Sequence, residues 1–284
     1  MDKHEGKISI VIPAHNEEKV IAKLLDSLID GVNSNIFQII VVCNGCEDAT
    51  ASVVKGYNGV TCLETNIRGK ANALNLGDKE AKYFPRFYVD ADIVIDTNSI
   101  LKLRDYLEKN DYLAVSPMPS INCEKSSWPV RWFYDVWMTL PYLKQGIVGA
   151  GVYALSKKGR EMFIDFPDII NDDGYVRALI EPGRRTSLES SVSHVNAPRD
   201  IRSMVLIKTR SRMGNKQLRE QFPRLNYNGP KTYLSGFVNL LRSPHLYHKI
   251  PLYLWLNLYI RYKVVIIWHK TASNEEWQRD DSTR

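Results

Sequence analysis

Residues 7–18 read KISIVIPAHNEE, and the fold turns on how this stretch is read. An apolar run stops at Pro13 and empties into a polar cluster, the pattern of a strand covered on both faces whose far end carries function. A helical pattern follows over residues 16–30. Val20, Ile21, Leu24, Leu25 and Leu28 recur at helical spacing, Asn16 stands where a cap belongs, and Glu17 and Glu18 put acid in the first turn. A second apolar run, FQIIVV at 37–42, stops at CNGCED. Residues 50–55 read as a short helix and 60–64 as a third strand. Residues 69–82 read as a helix offering Ala71, Ala73, Leu74 and Leu76 for packing. A fourth strand at 85–89 runs into Asp90-Ala91-Asp92.

This alternation predicts an α/β fold with a mostly parallel sheet covered by helices on both faces. Ligands in such sheets bind beyond the carboxyl ends of the strands, where HNEE, NGCED and DAD all fall. The second half is less regular. Strands are predicted at 112–115 and 148–155 and helices at 156–165 and 173–181, and 199–219 is rich in arginine and lysine. Residues 252–260 alternate Leu and Ile with Tyr, Trp and Asn, and the apolar character continues to Trp268. Strict alternation is a strand signal, while the same stretch as a helix is apolar nearly all round. Asn257, Arg261 and Lys263 make it a poor membrane span. An interfacial helix at headgroup depth and an element packed on the core both fit.

The chain has 284 residues, 44% hydrophobic and 25% charged, with net charge +6. That is globular composition, long enough for a full core, with a balance that suits an anionic partner. The start is charged and carries no apolar signal segment, so export is not expected and Cys43, Cys46, Cys62 and Cys123 read as reduced thiols. Cys43 and Cys46 form a C-x-x-C pair without a second ligand pair, which favours two small residues in a turn over a redox or zinc site.

The acidic clusters carry the chemistry. Hard cations prefer carboxylates and take remaining oxygens from phosphate. Asp90 and Asp92, read as following a strand with both carboxylates on one side, suit such an ion. Asn171-Asp172-Asp173-Gly174 precedes a helical stretch. One aspartate could cap it and the other accept a proton, and the residues leave that division open. Arg68, Lys70, Arg210 and Arg212 are phosphate candidates, each competing with a plain surface-charge reading.

The ordered blocks VIPAHNEE, VVCNGCEDAT, RGKANALNLG, YVDADIVI, GAGVYALS and NDDGYV, from Ile8 to about Gly214, resemble GT-A family-2 inverting glycosyltransferases. The resemblance implies a Rossmann-like three-layer GT-A domain over residues 1–215, with 216–284 as a C-terminal extension that could associate with a membrane. It implies transfer of a hexosyl group from a nucleotide-diphosphate sugar, with uridine expected, to a hydroxyl on a glycan or lipid-linked acceptor, aided by manganese or magnesium. Pro13, Ala14, Asn16 and Glu17 would line the nucleoside site. Asn44 stands where relatives place an aspartate against the base. Lys70 and Asp90 would join the nucleotide pocket, and Asp92 with Asp90 would hold the metal. Asp173 would be the base, with Asp172 positioning the acceptor or capping the helix. Gly149, Ala150 and Gly151 would form the small-residue turn near the sugar. TRSRMG, with Arg210 and Arg212, would be a loop over the diphosphate. The Q-x-x-R-W tryptophan of processive synthases is absent.

Trp128, Trp132, Phe133, Tyr134, Trp137 and Tyr142 form an aromatic cluster that reads as core packing or as an acceptor surface. His194, between valines, reads as a packed strand residue rather than a metal ligand. The expected location is the cytoplasm, including the inner membrane face, and no nucleic-acid partner is expected. A dinucleotide fingerprint at 149–154 is set aside because it lies mid-chain and begins a strand. A nucleotidyltransferase would want a glycine- and arginine-rich loop after the first strand, which VIPAHNEE is not, and a basic membrane- or nucleic-acid-binding module leaves the order of the acidic blocks unexplained.

Overall fold

The computed structural model describes residues 6–29, 36–148, 151–225 and 243–271. Its strands are β1 (Ile8–Ala14), β2 (Phe37–Asn44), β3 (Val60–Thr65), β4 (Arg86–Val89), β5 (Ala114–Asn122), β6 (Val152–Leu155) and β7 (Arg185–Asn196). They form one mostly parallel sheet in the order β3-β2-β1-β4-β6-β5-β7. The helices are α1 (Ile21–Ile29), α2 (Thr50–Lys55), α3 (Lys70–Glu80), α4 (Thr97–Lys109), α5 (Trp128–Trp137), α6 (Lys157–Arg160), α7 (Asp172–Leu179), α8 (Ile201–Gln221) and α9 (Ile250–Thr271).

Side-chain alternation explains the layering. Ile8, Ile10 and Ile12 of β1 join Ile39 and Val41 of β2 in one core, where α1, α2 and α4 contribute Leu24, Leu25, Val54 and Ile100. Val11, Ile40 and Val42 point the other way, into a second core with Ala73 and Leu74 of α3 and Val176 of α7. A strand covered on both faces needs apolar residues at every position, and each buried isoleucine stabilises the fold by roughly 1.5–3 kcal/mol.

β1 pairs in parallel with β2 on one side and with β4 on the other. The chain runs outward from β1 to β3 and returns to β4 across β1, so the sheet's switch point lies between the carboxyl ends of β1 and β4. That is where open α/β sheets leave a crevice. β6 enters antiparallel beside β4, which brings the start of β6 to the same end.

Several local expectations need correction. α1 begins at Ile21, and Asn16 does not cap it. Asn16 adopts a left-handed φ of 53°, and its side chain accepts from the Glu47 N–H at 2.8 Å. The two loops at the ends of β1 and β2 hold each other, as the Thr50 hydroxyl accepting from the Glu17 N–H at 2.7 Å also shows. The helix expected over 156–165 shrinks to Lys157–Arg160. TRSRMG is not a loop but part of the 21-residue helix α8. Residues 252–260 are helical, within α9. His194 lies on β7 with an exposed side chain.

The chain divides into two compact units. Met1–Ser120, Lys144–Asp168 and Asp172–Val195 form the first, and Ile121–Leu143, Ile169–Asn171 and Asn196–Arg284 the second. In the second, α9 packs on α8 and α5, and Phe133, Tyr134 and Trp137 of the aromatic cluster are buried.

Helix α3 is clamped at its far end. Asp78 pairs with Arg86 at 2.6 Å and with Arg160 at 2.7 Å, and the Tyr88 hydroxyl also donates to it. Burial alone would push the Asp78 carboxyl up, but hydrogen bonds from Arg160, Tyr88 and Arg86 outweigh it and hold the group below its ordinary value. A depressed folded pKa contributes stability above the unfolded value and loses it as pH falls through the folded one. Asp78→Asn leaves two arginines facing no charge and should cost about 3 kcal/mol at neutral pH by urea denaturation. The gap to the parent should close as the pH drops below about 4.

Candidate active site

The recess at the switch point is lined by Pro13 from β1, Lys70 from α3, Tyr88 from β4, Asp90, Gly151, Tyr153 from β6, and Asp172 and Asp173 from α7. β1 brings only the proline ring, and the polar groups come from the other elements. Lys70 is the first residue of α3, set by a chain of contacts from the end of β1. The Asn44 amide donates to Ala14 O at 2.8 Å, and its oxygen accepts from the Gly69 N–H at 3.1 Å. Gly69 has φ 134°, a region closed to most side chains, and α3 starts at the next residue. Asn44 is thus fully buried with both polar ends engaged inside the protein, and its effect on the recess runs through Lys70.

The Lys70 ammonium lies 2.7 Å from Asp90 Oδ1 and 2.8 Å from Asp172 Oδ1. Burial would lower its pKa, but Asp172, Asp90 and Asp173 together drive it well above the ordinary value, so it stays charged. The second Asp172 oxygen accepts from the Tyr153 hydroxyl at 3.4 Å. Burial and the Asp172 charge hold that hydroxyl far above its usual range, so it remains a donor. Tyr153 in turn stacks on Tyr88, ring centroids 5.0 Å apart. Both oxygens of Asp172 are therefore committed.

Asp173 differs. Burial pushes its carboxyl up to about 6, Asp172 and Asp90 push in the same direction, and Lys70 and the Gly174 N–H pull back. Three carboxylates share one ammonium, which leaves this end of the sheet short of positive charge. A carboxylate that titrates near neutrality is suited to take up a proton.

The D-x-D segment departs from a simple strand end. β4 stops at Val89, and residues 90–93 turn, closed by the Ile93 N–H donating to Asp90 O at 3.2 Å. Asp90 faces the recess, while half-buried Asp92 lies on the turn and is not part of its lining. Alternation along a strand therefore does not relate the two carboxylates. Among the described residues, no three His, Cys, Asp or Glu side chains gather to hold a metal unaided. The excess negative charge and oxygen donors still fit a hard cation that draws its other ligands from phosphate.

Gly151 is required by shape. It has φ 61°, and a Cβ there would meet Ile93 Cγ1 at 2.5 Å. Its carbonyl accepts from the Asp90 N–H at 2.8 Å, so this close approach locks the D-x-D turn to the start of β6. Gly149 and Ala150 lie outside the described residues. Glu17 is buried beside the loop after β1, and Ala14 is buried at the end of that strand. Arg210 and Arg212 belong to the second unit, where Arg212 donates to Asn257 Oδ1 at 2.6 Å. Sequence reasoning did not single out Tyr153 or Tyr88. The available signal was alternation along two short strands, β4 running into Asp90-Ala91-Asp92 and β6 starting just after Gly151.

A family model described as Glycosyl transferase family 2 matches residues 9–177. Among curated relatives, a poly-beta-1,6-N-acetyl-D-glucosamine synthase of Staphylococcus epidermidis is 33% identical over 125 residues, 42% of this chain and 30% of that protein. A dolichyl-phosphate beta-glucosyltransferase of Drosophila melanogaster is 32% identical over 105 residues, 32% of each chain. The chain spans about a third of the length of these relatives. Among solved structures, the mannosyltransferase PcManGT of Pyrobaculum calidifontis, in complex with GDP-Man and Mn2+, superposes with TM-score 0.64 at 18% identity, covering 94% of this chain and 79% of that one. S. aureus TarS 1-349 in complex with UDP-GlcNAc gives 0.55 at 15% identity, covering 96% and 93%. At these identities the likeness is one of fold.

Lys70→Met removes the ammonium from among three carboxylates, so Asp173 should titrate higher still. A raised folded pKa favours the fold at low pH and loses that favour as pH rises. The variant's Tm should therefore fall further below the parent's at pH 8 than at pH 5, measured by thermal unfolding. A pH-independent difference would contradict this electrostatic account.

Proposed function

The chain belongs to glycosyl transferase family 2, and we propose that it moves a hexosyl group from a nucleotide-diphosphate sugar, a UDP-sugar, to a hydroxyl of a glycan or lipid-linked acceptor with inversion of configuration. The observation that carries this reading is the recess at the carboxyl ends of β1 and β4, where Lys70 bridges Asp90 and Asp172 beside an Asp173 whose carboxyl is pushed up to about 6.

The roles follow from which groups are committed. Asp172 is held at both oxygens, so it orients Lys70 rather than accepting a proton. Asp173 takes the acceptor's hydroxyl proton as that oxygen forms its bond to the anomeric carbon. The bond from that carbon to the diphosphate oxygen breaks on the opposite side, and the electron pair leaves with the diphosphate. Lys70 supplies fixed positive charge toward the departing group, and preorganised charge of this kind is usually the largest contribution to rate. Asp90 and Asp92 are the groups that would hold manganese or magnesium, which when bound adds positive charge at the diphosphate. Pro13 forms the wall beside the nucleoside, with Ala14, Asn16, Glu17 and Asn44 shaping the loop behind it. Gly151, with Gly149 and Ala150, belongs near the sugar.

Asp173→Asn should lower kcat roughly 10²–10⁴-fold in a nucleotide-sugar turnover assay while donor binding persists. In the parent, kcat/KM should fall as pH drops below about 6, because the base then carries its proton. Asp92→Ala should abolish the manganese-dependent part of UDP binding, read by calorimetry with and without the ion. Salt-sensitive RNA binding that ignores Asp92→Ala, with no turnover of any nucleotide sugar, would favour a basic binding module instead.

A further inference from the structure

Helix α9 has two unlike faces. Leu256, Ile260 and Val264, spaced four apart, are buried inside the second unit against α8 and α5. Asn257 on that side accepts from Arg212 and donates to Tyr253 O at 2.8 Å. The other side exposes Leu254, Trp255, Leu258, Tyr259, Tyr262 and Val265, with Leu258 65% and Tyr262 62% accessible. These recur at helical spacing over three turns, so they form one continuous apolar stripe, far beyond the isolated exposed residues usual on a soluble surface. Trp255 and Tyr259 stack with centroids 5.6 Å apart, and aromatic side chains of this kind settle at headgroup depth.

Charge identifies the occupant. Between Glu220 and Glu275 the chain carries no Asp or Glu and seven Lys or Arg. Arg261 is exposed beside the stripe, and the Lys263 ammonium lies 5.6 Å from the Tyr259 ring centroid. Basic residues bordering an apolar stripe complement an anionic lipid surface, their heads reaching the phosphates while the stems lie along the acyl boundary. We propose that the outer stripe of α9 docks on an anionic bilayer, with the helix lying in the plane of the headgroups. By length and apolarity, Ile250–His269 would also suffice to cross a membrane. The inner face argues against crossing, because it is already packed on α8, which carries Arg210, Arg212 and Lys216. This proposal goes beyond the transfer reaction and stands whether or not the donor is identified correctly.

The test is co-sedimentation of the full chain with vesicles of phosphatidylcholine, alone or mixed with phosphatidylglycerol. The parent should sediment with the mixed vesicles, bind less to the neutral ones, and be released by alkaline carbonate. Leu258→Glu combined with Val265→Glu should lower the partition at least about tenfold while the circular dichroism and Tm stay at parent values. Should the double glutamate variant misfold, Leu258→Ser with Tyr262→Ser carries the same test. Unchanged binding by a folded variant, failure of the parent to sediment with the mixed vesicles, or retention through the carbonate wash would each overturn the proposal. So would a lipid-free dimer that either double variant dissolves, since the stripe would then cover a second copy of the chain.

Discussion

One ammonium among three carboxylates governs the recess at the carboxyl ends of β1 and β4. Lys70 can hold Asp90 and Asp172 together only because α3 is fixed at both ends. At its start, Asn44 ties the Gly69 turn to the end of β1. At its finish, Asp78 is gripped by Arg86 and Arg160. Between them, Gly77 lets the helix lie directly on the sheet, since a Cβ there would meet Val11 Cγ1 at 2.5 Å. A long, strongly hydrated cation is thereby held in one place, where it offsets charges that would otherwise drive α7 and the D-x-D turn apart.

The same arrangement separates two neighbouring aspartates. Both lie in the first turn of α7, where the helix dipole favours negative charge. Asp172 spends that advantage on two partners, and Asp173 is left to absorb the repulsion. Two adjacent carboxyl groups thus meet different surroundings: Asp172 is held by Lys70 and Tyr153, while burial and its neighbours push the Asp173 carboxyl up.

Much of this was legible because the relevant strands are covered on both faces. Apart from Ser9, Gln38 and Arg86 near their starts, β1, β2 and β4 run apolar toward their ends, so those ends, and the acidic clusters beyond, stand out against the strand pattern. Asp90 stands out for the same reason, whereas Lys70, Asp172 and Asp173 precede helical stretches and take their roles from the family resemblance. Other elements escaped because their signals are weak or contradictory. β5, expected only over 112–115, runs on through Pro117 and Pro119, residues that usually argue against a strand but are tolerated where no ladder donor is needed. β7 is rich in serine and threonine, and α4 is marked mainly by its cap, Asp96 accepting from the Ser99 N–H at 2.8 Å. Arg210 and Arg212 sit in a helix whose polar composition reads equally well as a loop. The roles of Tyr153 and Gly151 depend on partners distant in sequence, and no local pattern encodes them.

The second unit is stitched from three separate stretches of chain, one of which, Ile169–Asn171, is only three residues long and directly precedes Asp172. Such a unit has no single seam. A splice that exchanged everything after one crossover would import part of a foreign helical layer and leave the native Ile121–Leu143 and the tripeptide behind. Chimeras within this lineage should therefore inherit the two units together, and any drift in the second unit has to remain compatible with the three residues that lead into α7.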